Sequence, residues 1–170
     1  MTENINGNGV VVGIGEYAVS KNPNDVIKTF ALGSCVAVII YDKIKQIAGL
    51  IHIALPESKI AVEKSEKLPG YFADTGLPLF LEDFRKKGGM LTNSWIKLAG
   101  GANVLNSSYN FDIGTRNVLA IKKYLWKYNL GIISEDTGGI MGRKLIYFSE
   151  QNEIFVAKLQ KIRSTDYYSK

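Results

Sequence analysis

The sequence predicts an α+β domain, and three observations predict it. Short apolar runs bounded by turn residues follow one another before any helical pattern begins. Only two segments keep a 3.6-residue period, and strands and helices do not alternate as βαβ units would require. A chain of 170 residues suits one domain that buries roughly two-thirds of the surface its unfolded form exposes.

The first strands are Val10 to Ile14, Val26 to Leu32, Cys35 to Tyr41 and Ile47 to Leu55, all apolar and rich in β-branched residues. Asp42-Lys43 closes the third against the fourth as a hairpin. With a turn centred near residues 43 to 45, Cys35 pairs near residue 53, beside His52. Residues 56–70 have turn chemistry and no period, which predicts a long loop next to His52. From about Thr75, the recurrence of Leu77, Phe80 or Leu81, and Phe84 predicts an amphipathic helix ending at Gly88-Gly89. Asp74 or Thr75 is expected to cap it, with Pro78 in or beside its first turn. Trp95 to Ala99 reads as a strand running into Gly100-Gly101. A second helix starts at about Ile113 with Val118, Ile121, Leu125 and Tyr128 on one face, and Gly131 suits its C′ position. Ile132-Ile133, Lys144 to Phe148 and Ile154 to Leu159 complete the strands. The expected organisation is a flexible N-terminus over 1–9, one domain over 10–160, and a disordered tail over 161–170.

Composition narrows the function classes. The net charge is +5 and the sequence pI about 9.2. The basic residues are scattered in short clusters such as Lys86-Lys87 and Lys122-Lys123, with no basic stripe interleaved with aromatics, so nucleic acid is not an expected partner. No apolar run approaches a membrane span, so no membrane insertion is expected. A single cysteine and an N-terminus without a basic, then apolar, leader point to the cytoplasm.

Three chemistries compete. Gly13-Ile14-Gly15-Glu16-Tyr17-Ala18 fits G-x-G-x-x-A, but Asn22-Pro23-Asn24 interrupts the helix that a dinucleotide site needs, and positions 31–38 lack the ribose-binding acid. Close glycine packing explains it better. Asp74-Thr75-Gly76 and Asp136-Thr137-Gly138 repeat the aspartic-protease tripeptide, but in dissimilar flanks; helix cap and turn-former are the plainer readings. One histidine and one cysteine make a poor metal set, and neither metal nor cofactor is expected.

The remaining candidate is the thiol and imidazole themselves. The hairpin carries Cys35 and His52 to the same sheet edge, where His52 can take the thiol proton and a thiolate can attack a carbonyl carbon. Gly33-Ser34 before the thiol allows a sharp turn whose N–H groups face an oxyanion and position substrate. A partly exposed thiol with a lowered pKa is expected.

Several motifs together resemble the chemoreceptor glutamine deamidase family, CheD, over about Val10 to Lys158. They are Gly13-Ile14-Gly15-Glu16; Thr29 with Leu32-Gly33-Ser34-Cys35; His52 with Leu55-Pro56; Tyr71 with Ala73-Asp74-Thr75; Ala99-Gly100-Gly101-Ala102; Ile113-Gly114 with Arg116-Asn117; and Asp136-Thr137-Gly138-Gly139 with Arg143. The resemblance implies a protein-glutamine glutaminase, a cysteine hydrolase that turns selected glutamines of methyl-accepting chemotaxis receptors into glutamates and releases ammonia. Cys35 would be the nucleophile, His52 the base and Thr29 the third member. It implies mixed β-sheets packed as a sandwich with two main helices outside, similar to deamidating bacterial toxin domains. It also implies a cytoplasmic protein associated with receptor arrays, and a CheC-type phosphatase of the regulator CheY as a second partner. Gly100, Gly101 and Leu105 fall on the segment assigned to partner docking, and Leu105 stands where relatives often have phenylalanine. The rival reading is a non-catalytic adaptor that binds receptors or the phosphatase; it gives no reason for a reactive thiol.

Overall fold

The structure is a computed structural model that describes residues 9–104, 112–148 and 153–159. Leu105, the first eight residues and the C-terminal tail expected over 161–170 lie outside the described residues.

Among the described residues, nine strands form two mixed sheets. They are β1 (Gly9–Val11), β2 (Tyr17–Ser20), β3 (Val26–Leu32), β4 (Val36–Asp42), β5 (Ile47–Ile53), β6 (Ser94–Gly100), β7 (Ile132–Thr137), β8 (Arg143–Phe148) and β9 (Glu153–Lys158). The four-stranded sheet runs β1-β3-β8-β9 and the five-stranded sheet β2-β5-β4-β6-β7. One pair in each is parallel, β1 with β3 and β6 with β7. The helices are α1 (Val62–Lys67), α2 (Ala73–Lys86) and α3 (Ile113–Lys127).

The layers follow from side-chain alternation. Every residue of β4 and β5 is buried, because the five-stranded sheet is covered on both faces. One face, with Val36, Val38, Ile40, Ile51 and Ile53, packs on Leu77, Phe80 and Phe84 of α2 and Ile121 and Leu125 of α3. The other face, with Ala37, Ile39, Ala48 and Leu50, packs on Ile27, Leu32, Leu145 and Tyr147 of the second sheet. The fold is therefore the expected α+β sandwich, with both long helices outside the same sheet.

Local differences from the sequence reading have physical causes. The four-residue β2 was hidden because Tyr17 is exposed and the run is too short to show a period. Residues 56–70 contain α1 and two single-turn 3-10 helices, Ser58–Ile60 and Pro69–Tyr71, none of which has an apolar stripe to reveal it. Phe72, not Asp74 or Thr75, is the N-cap of α2, and Pro78 lies inside the helix beyond its first turn. Asp74 instead accepts from the Ser58 N–H and hydroxyl, while Thr75 Oγ1 donates to the Pro69 carbonyl at 2.6 Å. At the end of α3 the left-handed residue is Asn129, φ 55°, and not Gly131. Asp136 is a strand residue of β7, ion-paired with Arg143 at 2.9 Å, rather than a turn-former.

The glycine motif near the N-terminus proves to be packing. A Cβ on Gly70 would overlap the Gly15 carbonyl oxygen, so the turn before β2 lies directly against the segment that leads into α2.

Candidate active site

The hairpin of β4 and β5 sets the register. Ala37 stands directly opposite His52, and Val36 opposite Ile53. Cys35 immediately precedes β4 and packs against the inter-sheet cluster with Ala37. It is therefore a diagonal neighbour of His52 on one sheet face. The sequence reading placed the pairing partner of Cys35 near residue 53; the register in which Ala37 opposes His52 puts position 35 level with Ala54 instead, one residue further along and on the same face as His52.

Thr29 reaches the same place from the other sheet. It is fully buried on β3, and its Oγ1 lies 2.7 Å from His52 Nδ1 and 2.8 Å from the Val12 carbonyl oxygen. The hydroxyl has one proton, and a carbonyl can only accept, so that proton goes to Val12. The hydroxyl oxygen must then accept from His52 Nδ1–H. This assigns the tautomer: Nε2 carries the lone pair. Nε2 is buried and has no hydrogen-bond partner among the described residues. Burial pushes the imidazole pKa down to about 4, so His52 is neutral near pH 7.

A bulge in β3 makes this geometry possible. Thr29 pairs with Leu145 and Leu32 with Arg143, so one extra residue is inserted, and Ala31 takes φ 57°. Without it Ala31 would face inward; with it Leu32 does, and the chain is redirected into Gly33-Ser34-Cys35. Nothing in the run of residues from Val26 to Leu32 signals the bulge, since alanine carries no preference for the left-handed region.

That tripeptide is held by its carbonyls. Gly33 O accepts from Ala102 N–H at 2.7 Å, Ser34 O from Asn117 Nδ2 at 2.9 Å, and Cys35 O from Gly101 N–H at 2.7 Å. Gly100, at φ 114°, has no room for a Cβ against the Cys35 carbonyl, and Gly101 sits at φ 63°. Both glycines are buried, so neither offers surface to a partner; they buttress the Gly33-Ser34-Cys35 segment. Asn117 was quoted from the sequence only as part of a motif. Its signal was a polar residue in register with Ile121 on the apolar face of a helix, which a buried side chain must explain.

The thiol differs from expectation in one respect. Cys35 is half-buried, as foreseen, but burial raises its pKa above the ordinary thiol value, while its own backbone N–H pulls the other way. With His52 also held neutral by burial, the resting pair is an uncharged thiol and imidazole rather than a thiolate and imidazolium.

A family model described as CheD chemotactic sensory transduction matches residues 54–158. The chain is 46% identical over 140 residues to the probable chemoreceptor glutamine deamidase CheD of Syntrophotalea carbinolica, covering 79% of this chain and 84% of that one. It is 40% identical over 147 residues to the probable chemoreceptor glutamine deamidase CheD 1 of Syntrophus aciditrophicus, covering 86% and 92%. Against the chemoreceptor glutamine deamidase CheD of Thermotoga maritima it is 40% identical over 149 residues, covering 88% and 91%. On this evidence the chain belongs to the CheD family.

Proposed function

We propose that this protein, as one domain over 10–160, deamidates selected glutamines of methyl-accepting chemotaxis receptors, with Cys35 as nucleophile, His52 as general base and acid, and Thr29 as the residue that orients His52. The observation that supports the reading is the Thr29–His52 contact of 2.7 Å, which leaves Nε2 with a free lone pair on the sheet face that Cys35 also occupies. The relatives' names supply the substrate class.

As the Cys35 sulfur attacks the side-chain carboxamide carbon, Nε2 takes the thiol proton. A C–S bond forms, and the carbonyl π pair moves to oxygen. Because the resting pair is neutral, proton transfer accompanies attack instead of preceding it. The Ser34 and Cys35 N–H groups have no acceptor among the described residues beyond the Cys35 thiol itself and are available to the oxyanion that forms. The imidazolium then protonates the amide nitrogen, the C–N bond breaks and ammonia leaves a thioester. Water, losing a proton to Nε2, attacks that thioester and releases glutamate, and the departing sulfur recovers its proton from the imidazolium.

Receptor glutamines project from helical surfaces, so substrate is selected by protein docking, and free glutamine should be nearly inert. The same reading puts the protein on the cytoplasmic side of receptor arrays. A CheC-type phosphatase docking on the substrate face would act as a competitive inhibitor. The experiment is incubation with receptor cytoplasmic fragments, followed by mass spectrometry of their glutamine-containing peptides. Glutamate at specific positions, absent with Cys35→Ala, is expected; unmodified fragments would refute the proposal.

A further inference from the structure

The peptide unit between Ser34 and Cys35 is anchored at one end and open at the other. Its carbonyl accepts from Asn117 Nδ2 at 2.9 Å, while its N–H, that of Cys35, meets no acceptor among the described residues beyond the Cys35 thiol itself. None of the described peptide bonds is cis, and in a planar trans peptide the C=O and N–H point in opposite directions. Fixing the carbonyl toward α3 therefore aims the Cys35 N–H away from α3.

Asn117 does this with unusual commitment. It is fully buried on the inner face of α3, and the same Nδ2 also donates to the Ala54 carbonyl at 2.8 Å. One amide group thus ties the segment entering Cys35 to the segment leaving His52. Two carbonyls in front of Nδ2 exclude the flipped amide, since its oxygen would face two acceptors. The remaining Oδ1 is buried without a partner among the described residues. The side chain leaves an acceptor unsatisfied in order to keep its donors where they are.

We infer that Asn117 is a positioning residue for deamidation: by holding the Ser34 carbonyl it orients the Cys35 N–H toward the oxygen that becomes negative when the thiol adds to the glutamine carboxamide. The inference rests on the proposed deamidase reading. Charge develops on that oxygen only as the C–S bond forms, so the effect belongs to the transition state and should appear in kcat rather than KM. Ala102 N–H does the equivalent for Ser34 through the Gly33 carbonyl, but it is a backbone donor that only proline would remove, with its own constraint on the chain.

The test compares two reactions of the same sulfur. Alkylation by iodoacetamide displaces iodide at a saturated carbon and builds no oxyanion, whereas deamidation does. Asn117→Asp keeps the shape and loses the donors; Asn117→Ala loses both, and Asn117→Thr keeps one donor if the others fold poorly. In each folded variant, kcat for a receptor fragment should fall about 10- to 100-fold, with KM changed less than about twofold. Iodoacetamide alkylation of Cys35 should stay within about twofold of wild type. A receptor peptide with an aldehyde in place of the target carboxamide, which Cys35 adds to as a hemithioacetal, should lose affinity in proportion to kcat. Unchanged kcat, or alkylation falling in step with deamidation, would overturn the inference. A wild-type protein that alkylates at Cys35 yet never deamidates receptor fragments would instead overturn the deamidase reading beneath it.

Discussion

The two faces of the five-stranded sheet are equally buried and differ in what they bury. Toward α2 and α3 the sheet presents Val36, Val38, Ile40, Ile51 and Ile53 to the rings of Phe80 and Phe84. Toward the second sheet it presents smaller residues, and Ala37 lies between His52 on β5 and Ala99 on β6. Thr29 and His52 meet across the space those alanines leave. Because successive strand residues alternate faces, one hairpin serves both layers, and a one-residue slip would exchange them. If the helix side carries stability and the inter-sheet side the proposed chemistry, substitutions on the two sides should separate cleanly.

The largest effect should come from the inter-sheet side. Cys35→Ala removes the proposed nucleophile, and deamidation of receptor fragments should fall by at least about 10⁴-fold, the scale on which losing a nucleophile acts. The sulfur is half-buried, so urea unfolding should shift by less than about 1 kcal/mol. A Cys35→Ala protein that still deamidates would erase the distinction between the faces.

Phe80→Ala tests the opposite side. Phe80 is fully buried on α2, and its removal should cost about 3–5 kcal/mol in urea or thermal unfolding. At a temperature where the variant remains folded, kcat should match wild type. A large fall in kcat without unfolding would mean that the helix layer tunes the site.

How much of this was legible in sequence depends on range. The strands Val26–Leu32 and Ile47–Ile53 were readable because their apolar runs are local, and the hairpin register followed from one short turn. That register was one residue short of the observed one, so it brought Cys35 and His52 to the same strand ends without fixing the face they share. The Thr29 contact with His52 joins two sheets across a bulge at Ala31 and cannot be computed from spacing; only the family resemblance pointed to Thr29. Asn117 reaches Ser34 from a helix far along the chain, so its role could be suspected only from its polarity on an apolar face. The thiol pKa was misjudged because burial, unlike the neighbouring imidazole, is invisible in sequence.

The buried imidazole predicts a pH effect that the helix side lacks. Burial holds the His52 pKa at about 4 in the folded protein, against an ordinary value of 6.5. Between these values the unfolded chain binds a proton that the folded chain does not. Stability is therefore fully present above about pH 6.5, falls as the pH drops toward 4, and levels off below, with a total change of roughly 3 kcal/mol from this group. His52→Gln should remove that part of the pH dependence in urea titrations. The acid limb of kcat/KM should likewise lie near 4 rather than 6.5, since His52 must be neutral to act as base. Identical stability slopes for wild type and His52→Gln would place the imidazole in contact with solvent.

The smallest effect, and the one that most sharply tests the inter-sheet site, concerns Thr29. Its hydroxyl accepts from Nδ1 of His52 while donating to the Val12 carbonyl, so it fixes the tautomer and, in the proposed mechanism, stabilises the imidazolium formed during attack. A neutral hydroxyl does the second less well than a carboxylate. Losing a hydrogen bond to a group that becomes charged costs about 1.5–3 kcal/mol, or roughly a 10- to 150-fold fall in kcat/KM. Thr29→Ala should show that fall and remain far more active than Cys35→Ala. Thr29→Ser, which keeps the hydroxyl, should recover most of it, whereas Thr29→Val, which keeps the shape, should not. Recovery by valine in place of serine would make Thr29 a packing residue, and the inter-sheet face would then hold a two-residue site.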